Sequence, residues 1–287
     1  MADICNSCPR RCGALRPRGF CRAPEKFLVS RAALHMFEEP PISGTAGSGT
    51  IFFGGCNLGC VYCQNKAISR GGKGSEMSEE ELEKEIFSLA SQGAHNINFV
   101  TPSHYILPLA KLLDRIKHNI PIPIVFNCGG YEDDKALRML DGLVDIYLPD
   151  FKYFSSELSA RYSHAPDYFE IASRAIAEMH RQQPSLVYNG NLLSRGVVVR
   201  HLVLPGGRKD SVKVLEELAK LLPTQSMLLS LMSQYTPDFV DSAKYSELGR
   251  RVTTFEYDSV AKKAVELGFD GFFQAKTSAS AKYTPDF

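Results

Sequence analysis

At 287 residues and 31.8 kDa the chain can bury one large core, as one domain or as a domain with a small appendage. Its 44% hydrophobic and 23% charged content is that of an ordinary globular protein, and a formal net charge of +1 argues against bulk nucleic-acid or membrane binding. No apolar run is long enough to span a bilayer, and the opening Met-Ala-Asp-Ile-Cys lacks a signal-peptide pattern. A cytoplasmic location is therefore expected, with the eight cysteines reduced and acting as metal ligands, redox groups or core thiols.

Residues 1–48 are rich in Cys, Arg and Pro without a period, and read as an N-terminal extension folded around a metal. From Gly49 onward short apolar runs alternate with amphipathic segments. Residues 49–55 read as a strand and 78–93 as a helix, with Ser78 as its N-cap, Glu81 three residues on and Gly93 past its end. Further strands are expected at 96–102, 122–128, 145–153, 197–206 and 226–235. Helices are expected at 103–119, 133–140, 166–183, 211–223 and 256–267, before a strand-like 270–275. A hairpin turning on Asn189-Gly190 precedes the fifth strand.

Strands between longer helices mean βαβ units and a parallel sheet, and about six units fit the length. The expected fold is α/β, a partial (β/α)6 barrel over 49–276 with the Cys-rich extension 1–48 before it and a tail, 277–287, packing on the barrel. A doubly wound sheet is the alternative. Tyr-Thr-Pro-Asp-Phe occurs at 235–239 and again at 283–287, the first copy at the expected barrel mouth.

After the first barrel strand comes CNLGCVYCQN, with Cys56, Cys60 and Cys63 and no fourth cysteine nearby. Structural zinc and cubane iron–sulfur clusters normally take four protein ligands. Three thiolates on a cluster would leave one iron open to an outside ligand, at the strand end where barrel enzymes place their chemistry.

Cys-x3-Cys-x-aromatic-Cys, with Tyr62 as the aromatic, resembles the signature of the radical S-adenosylmethionine (SAM) superfamily. Within it, GGCNLGCVYCQN is similar to the activating enzymes of glycyl radical enzymes, the relatives of pyruvate formate-lyase activating enzyme. The resemblance runs by motif order from about residue 50 to 235. It implies a [4Fe–4S] cluster on the three cysteines and SAM on its open iron. Reductive cleavage of SAM then gives a 5′-deoxyadenosyl radical that abstracts hydrogen.

The resemblance also implies SAM contacts. Thr101, Ser103 and His104 stand where the family has Gly-Gly-Glu facing the SAM amino group, with His104 in the glutamate's place. Asn127, in FNCGGY, takes the ribose-contacting position, and LPDFKY resembles the family's Asp-Leu-Lys, giving Asp150 and Lys152 as an orienting pair. VRHLVLPGG points to Arg200 for the SAM carboxylate or sulfonium, and Gln234 stands near a ribose histidine.

Cys5, Cys8, Cys12 and Cys21 form Cys-x2-Cys-x3-Cys-x8-Cys, a second metal site whose spacing matches neither common zinc pairs nor the bacterial ferredoxin run. An iron–sulfur cluster and zinc both remain open. Arg10, Arg11, Arg16, Arg18 and Arg22 surround these cysteines, as charge compensation or as a dock for an acidic flavodoxin- or ferredoxin-type reductant. Cys128 reads as a buried inert thiol.

The leading expectation is an oxidoreductase of the radical SAM type, activating a glycyl radical enzyme or modifying a peptide or small molecule. An electron carrier or scaffold without catalysis, and a zinc-dependent nucleic-acid module, are the readings from other classes.

Overall fold

The structure, a computed structural model, describes residues 5–274. Its strands are β1 (Phe27–His35), β2 (Ser48–Phe53), β3 (Ser75–Met77), β4 (Ile97–Val100), β5 (Ile124–Cys128), β6 (Ile146–Pro149), β7 (Val187–Asn189), β8 (Leu192–Leu202), β9 (Leu228–Met232) and β10 (Gly271–Phe273). Its α-helices are α1 (Pro40–Ser43), α2 (Lys66–Ser69), α3 (Glu79–Ser91), α4 (Ile106–Ile116), α5 (Asp134–Leu137), α6 (Ser156–Ser163), α7 (Tyr168–Gln182), α8 (Arg208–Leu221) and α9 (Thr254–Glu266).

Strands β4, β5, β6 and β9 are buried along their whole length, which is why each reads as a near-continuous apolar run rather than an alternating one. The helices bury apolar stripes at helical spacing, Leu82, Ile86 and Leu89 on α3 and Leu109, Leu112, Leu113 and Ile116 on α4. Helix α3 begins in a capping box: the Ser78 side chain accepts from the Glu81 N–H, and the Glu81 carboxylate accepts from the Ser78 N–H at 2.7 Å.

The sheet runs in the order β10-β9-β8-β6-β5-β4-β2-β1-β3, with β7 hairpinned onto β8. From β2 to β10 every pairing along that order is parallel, and the strands follow one another in sequence without a reversal. A doubly wound sheet needs a point where the order reverses, so the winding is that of an open barrel.

Residues 27–43 hold what the missing period hid. Strand β1 lies antiparallel on β2, with Ala33 opposite Thr50 and His35 opposite Ser48, and β3 adds to its other side. The chain then crosses the base of the barrel. Pro40 starts α1, and Ile42, wholly buried, packs with Val125, Ile146, Leu148, Val198 and Leu228. Truncating such a side chain to alanine costs about 2–5 kcal/mol.

Helix α6, capped by the Ser155 side chain, is a further element that sequence periodicity did not reveal. The first Tyr-Thr-Pro-Asp-Phe copy lies at the barrel mouth: the Tyr235 hydroxyl donates to the Leu248 carbonyl at 2.6 Å and its ring meets Tyr62 edge-on. The second copy and the expected tail, 277–287, lie outside the described residues. Among those described, no helix is long and apolar enough to cross a membrane.

Candidate active site at the open end of the barrel

After β2 the chain turns through Gly54 and Gly55 into the three-cysteine loop. Gly55 has φ +83, and a Cβ there would stand 2.6 Å from the Cys21 carbonyl oxygen. All three sulfurs accept hydrogen bonds: Cys56 from the Leu58 N–H at 3.3 Å, Cys60 from the Ser163 hydroxyl at 3.0 Å, and Cys63 from the Ser69 hydroxyl at 3.5 Å.

Burial pushes the Cys60 thiol up, against the pull of the Lys152 ammonium. Burial, then the neighbouring Cys60 and Cys56, push Cys63 up to about 12. The three groups therefore feel one another's charge, and holding them all as thiolates calls for a cationic centre between them. Among the described residues no three Cys, His, Asp or Glu side chains converge tightly enough to grip a single metal ion. Structural zinc normally takes four protein ligands, whereas three thiolates on an iron–sulfur cluster leave one iron open to an outside ligand, and this donor set fits that arrangement.

The loop opens onto a cavity of about 310 Å³. Five of the expected SAM contacts line it beside Cys60 and Cys63, namely Tyr62, Asp150, Lys152, Arg200 and Gln234. Asp150 is their centre. It accepts from Lys152 Nζ at 2.5 Å and from Arg200 Nε at 2.9 Å. Burial would raise its carboxyl, but Arg200 and then Lys152 hold it below the usual value.

Burial would lower both bases, but Asp150 together with Cys60 at Lys152, and together with Glu39 and Glu38 at Arg200, pulls them up. Gly130, at φ +81, lets the loop after β5 pass this point, since a Cβ would meet the Asp150 carbonyl oxygen at 2.0 Å. Tyr62 shares a 2.5 Å hydrogen bond with Tyr153, and Gln64 Nε2 donates to the Gln234 carbonyl at 3.2 Å, tying the loop to the end of β9.

The other four expected contacts do not line the cavity. Asn127 stands behind Arg200, accepting from Arg200 Nη2 at 2.5 Å and donating to the Glu38 carboxylate at 3.5 Å. Thr101, at φ +59, donates its N–H to the Asn127 carbonyl at 2.8 Å, and Ser103 donates to Glu132. His104 is 1% exposed. Its Nε2 faces the Gly54 carbonyl at 2.9 Å, and burial, with Arg16 adding to it, depresses its pKa to about 3. The histidine thus pins the turn after β2 instead of facing the cavity, because the chain winds directly into a 3₁₀ turn at Ser103–Tyr105 that packs these side chains inward.

Three further carboxylates of the barrel gave no clear sign in the sequence. Glu38 accepts from Asn98 Nδ2 at 3.0 Å and stands 3.6 Å from Arg200, and Glu39 lines the cavity beside it. Glu132 is 1% exposed, and burial raises its pKa to about 7. The pair Glu38-Glu39 ahead of Pro40-Pro41 was the available sign, an acidic pair set by a proline helix start, but no period said which way it faced.

Of the N-terminal thiols, Cys8 and Cys21 are buried, Cys5 is half-buried and Cys12 exposed. Burial, followed by the charges of Cys21, Cys5 and Cys12, pushes Cys8 up to about 12. At Cys5 burial is outweighed by hydrogen bonds with Ser7 and by Arg16, which bring the thiol down. The module is fastened to the barrel mouth: Cys56 N–H donates to the Cys21 carbonyl at 3.3 Å. Arg10 reaches the carbonyls of Asn57, at 2.6 Å, of Ser163, at 2.9 Å, and of His164. Arg16 donates to the Pro24 and His104 carbonyls, Arg22 to that of Arg70, and Arg11 pairs with Asp133. Arg18, Arg22 and Arg70 ring a surface hollow of about 410 Å³ with Phe20 and His164. Cys128 is 2% exposed, its thiol raised by burial and by Glu132.

An open parallel barrel with three thiols after its first parallel strand, two of them lining a charged cavity, is the setting of an α/β enzyme that works through a bound cofactor. The chain belongs to the Radical SAM superfamily, whose sequence profile matches residues 50–219. Membership implies a [4Fe–4S] cluster, SAM and radical chemistry. The chain is 30% identical over 278 residues to an uncharacterized protein, MJ0674, of Methanocaldococcus jannaschii, a match covering 93% of this chain and 75% of that protein.

Among solved structures it is similar to HydG, a maturase of the [FeFe]-hydrogenase, with a TM-score of 0.50 and 12% identity, over 79% of this chain and 52% of that one. Methylornithine synthase (PylB) gives a TM-score of 0.49 and 15% identity, over 73% of this chain and 59% of that one. The chain thus spans less than two thirds of either structure, and the likeness to HydG is one of fold.

Proposed function

We propose that Cys56, Cys60 and Cys63 hold the cluster, that SAM occupies the adjoining end of the cavity, and that the enzyme abstracts hydrogen from a substrate group reaching into the barrel. The observation that most supports this reading is the single cavity shared by Cys60 and Cys63 with Asp150, Lys152 and Arg200. When bound, the cluster and SAM supply an electron and a carbon–sulfur bond whose cleavage yields the 5′-deoxyadenosyl radical.

The chain's own groups bind and orient. Lys152 offers a fixed ammonium to the SAM carboxylate, and Asp150 accepts from ribose hydroxyls or the amino group. Arg200, held by Asp150 and Asn127, is a second pre-positioned cation. Tyr62 and Gln234 line the same space. The resemblance of the cysteine loop favours activation of a glycyl radical enzyme. His104, turned away from the family's glutamate position, favours instead a branch acting on a peptide or small molecule.

Cys5, Cys8, Cys12 and Cys21 would hold a second iron–sulfur cluster or zinc, and the arginine-ringed hollow beside them suits an acidic flavodoxin- or ferredoxin-type reductant. Anaerobic reconstitution with iron and sulfide, followed by dithionite and SAM, tests the reaction. Wild-type protein is expected to form 5′-deoxyadenosine and Cys56→Ala none; no product from protein with its cluster fully loaded would refute it.

A further inference from the structure

The base of the cavity is built differently from its mouth. Val100 of β4 lines the cavity, so Asn98, two residues earlier, faces the same interior one layer deeper. Asn98 is wholly buried; its Nδ2 donates to Glu38, while its Oδ1 has no partner. Glu39 makes no side-chain hydrogen bond or ion pair among the described residues, and its Oε2 is likewise buried and unpartnered. Two buried acceptors, one on the side chain hydrogen-bonded to Glu38 and one on Glu38's chain neighbour, both lack a donor, which is costly unless something supplies one.

The charges agree. Three carboxylates line the cavity, Glu38, Glu39 and Asp150, against two permanent cations, Lys152 and Arg200, leaving one negative charge unmatched. His35, also on the wall, has its pKa lowered by burial and Arg31 and does not fill the deficit. Both cations pair with Asp150, Arg200 also stands 3.6 Å from Glu38, and burial raises the Glu38 carboxyl, as expected of an acid short of a full cation partner.

These acids also enter from the end opposite the thiols. His35 pairs with Ser48 at the start of β2, whereas the cysteine loop follows its end at Phe53. The two lie roughly 17 Å apart along the strand.

We infer that the base of the cavity receives an organic cation, the ammonium or guanidinium group of the substrate, seated on Glu38 and Glu39 with the Asn98 amide oxygen. This rests on the proposed reaction only in taking the cation to belong to the hydrogen donor. A free alkylamine and a Lys or Arg side chain of a peptide carry the same chemistry.

The test is equilibrium dialysis of the anaerobically reconstituted enzyme with SAM, comparing hexylamine with hexanol and Gly-Arg-Gly with Gly-Gln-Gly. A charge-assisted pair predicts at least about tenfold preference for the cation. Preference in the first pair identifies a free amine, and in the second a peptide side chain; no preference in either overturns the inference. Glu39→Gln should erase the preference and Glu39→Asp retain part of it, and a preference indifferent to Glu39→Gln would also overturn it. Because Glu39 makes no side-chain bond, its replacement spares the fold. Dialysis reads binding alone, and 5′-deoxyadenosine assayed in the same samples reads the proposed reaction, so the two can fail separately.

Discussion

Cys56, Cys60 and Cys63 are delivered by β2 to the barrel mouth, where their sulfurs accept hydrogen bonds and two of them face the cavity. Cys5, Cys8, Cys12 and Cys21 lie in a loop held to the same mouth through Arg10 and the Cys21 carbonyl, with Cys12 exposed. Both sites use thiols, but one faces the barrel cavity, while the other borders a basic surface hollow. A cavity that a bound substrate can fill suits radical chemistry, which must exclude solvent; a charged surface margin suits delivery of electrons.

The sharpest way to break that contrast is to remove one thiol from each loop. Cys60→Ala should lower dithionite-driven SAM cleavage by about a thousandfold or more, as for members of a unit that acts together. Cys8→Ser should leave that rate within a few-fold while removing about half the iron, if the N-terminal site holds a second cluster. Equal losses of activity would show that the two loops do not divide the work as their surroundings suggest.

Next in size is the charge centre of the cavity. Arg200→Gln strands Asp150 beside Glu38, and the expected loss is about 3–5 kcal/mol in denaturant unfolding, because a buried charge loses its partner. A loss near zero would mean that Lys152 alone balances Asp150.

Glu132 gives a pH signature of opposite sign to that of His104. In the fold Glu132 stays protonated up to about 7, against an ordinary value of 4.5. Between these values the folded chain binds more protons than the unfolded one, so the stability held by neutral Glu132 is full below 4.5 and is lost as pH rises to 7. Glu132→Gln should therefore gain on the wild type by about 3 kcal/mol between acid and neutral pH, measured by urea unfolding. His104, depressed from 6.5 to about 3, contributes stability above 6.5 that is lost as pH falls toward 3.

The smallest expected effect is at the surface. Arg18→Gln should slow turnover severalfold when a flavodoxin-type protein supplies electrons and leave the dithionite rate unchanged, the difference shrinking at high salt. Equal rates with both donors would remove the hollow as a docking site.

Much of this arrangement was legible in sequence because it is local. Ser78 and Glu81 announced the start of α3, fully apolar runs announced strands covered on both faces, and cysteine spacing announced both thiol loops. Asp150, Lys152 and Arg200 came from resemblance, and the structure brings them together on one wall.

What stayed hidden depends on long-range packing. Strand β1, partly exposed and antiparallel to β2, carries no clean alternation, so the segment after it gave no sign of crossing the barrel base. The direction of His104 was set by the tight turn after β4, and the approach of Glu132 to Ser103 by a neighbouring strand end.

The central claim, an open-sided cluster on Cys56, Cys60 and Cys63 that binds SAM, is tested most directly by electron paramagnetic resonance of the dithionite-reduced, iron-loaded protein with and without SAM. A spectrum that shifts on adding SAM is expected for the wild type and for Cys8→Ser, with that response absent in Cys60→Ala. A fully loaded wild-type cluster whose spectrum ignores SAM would contradict the claim.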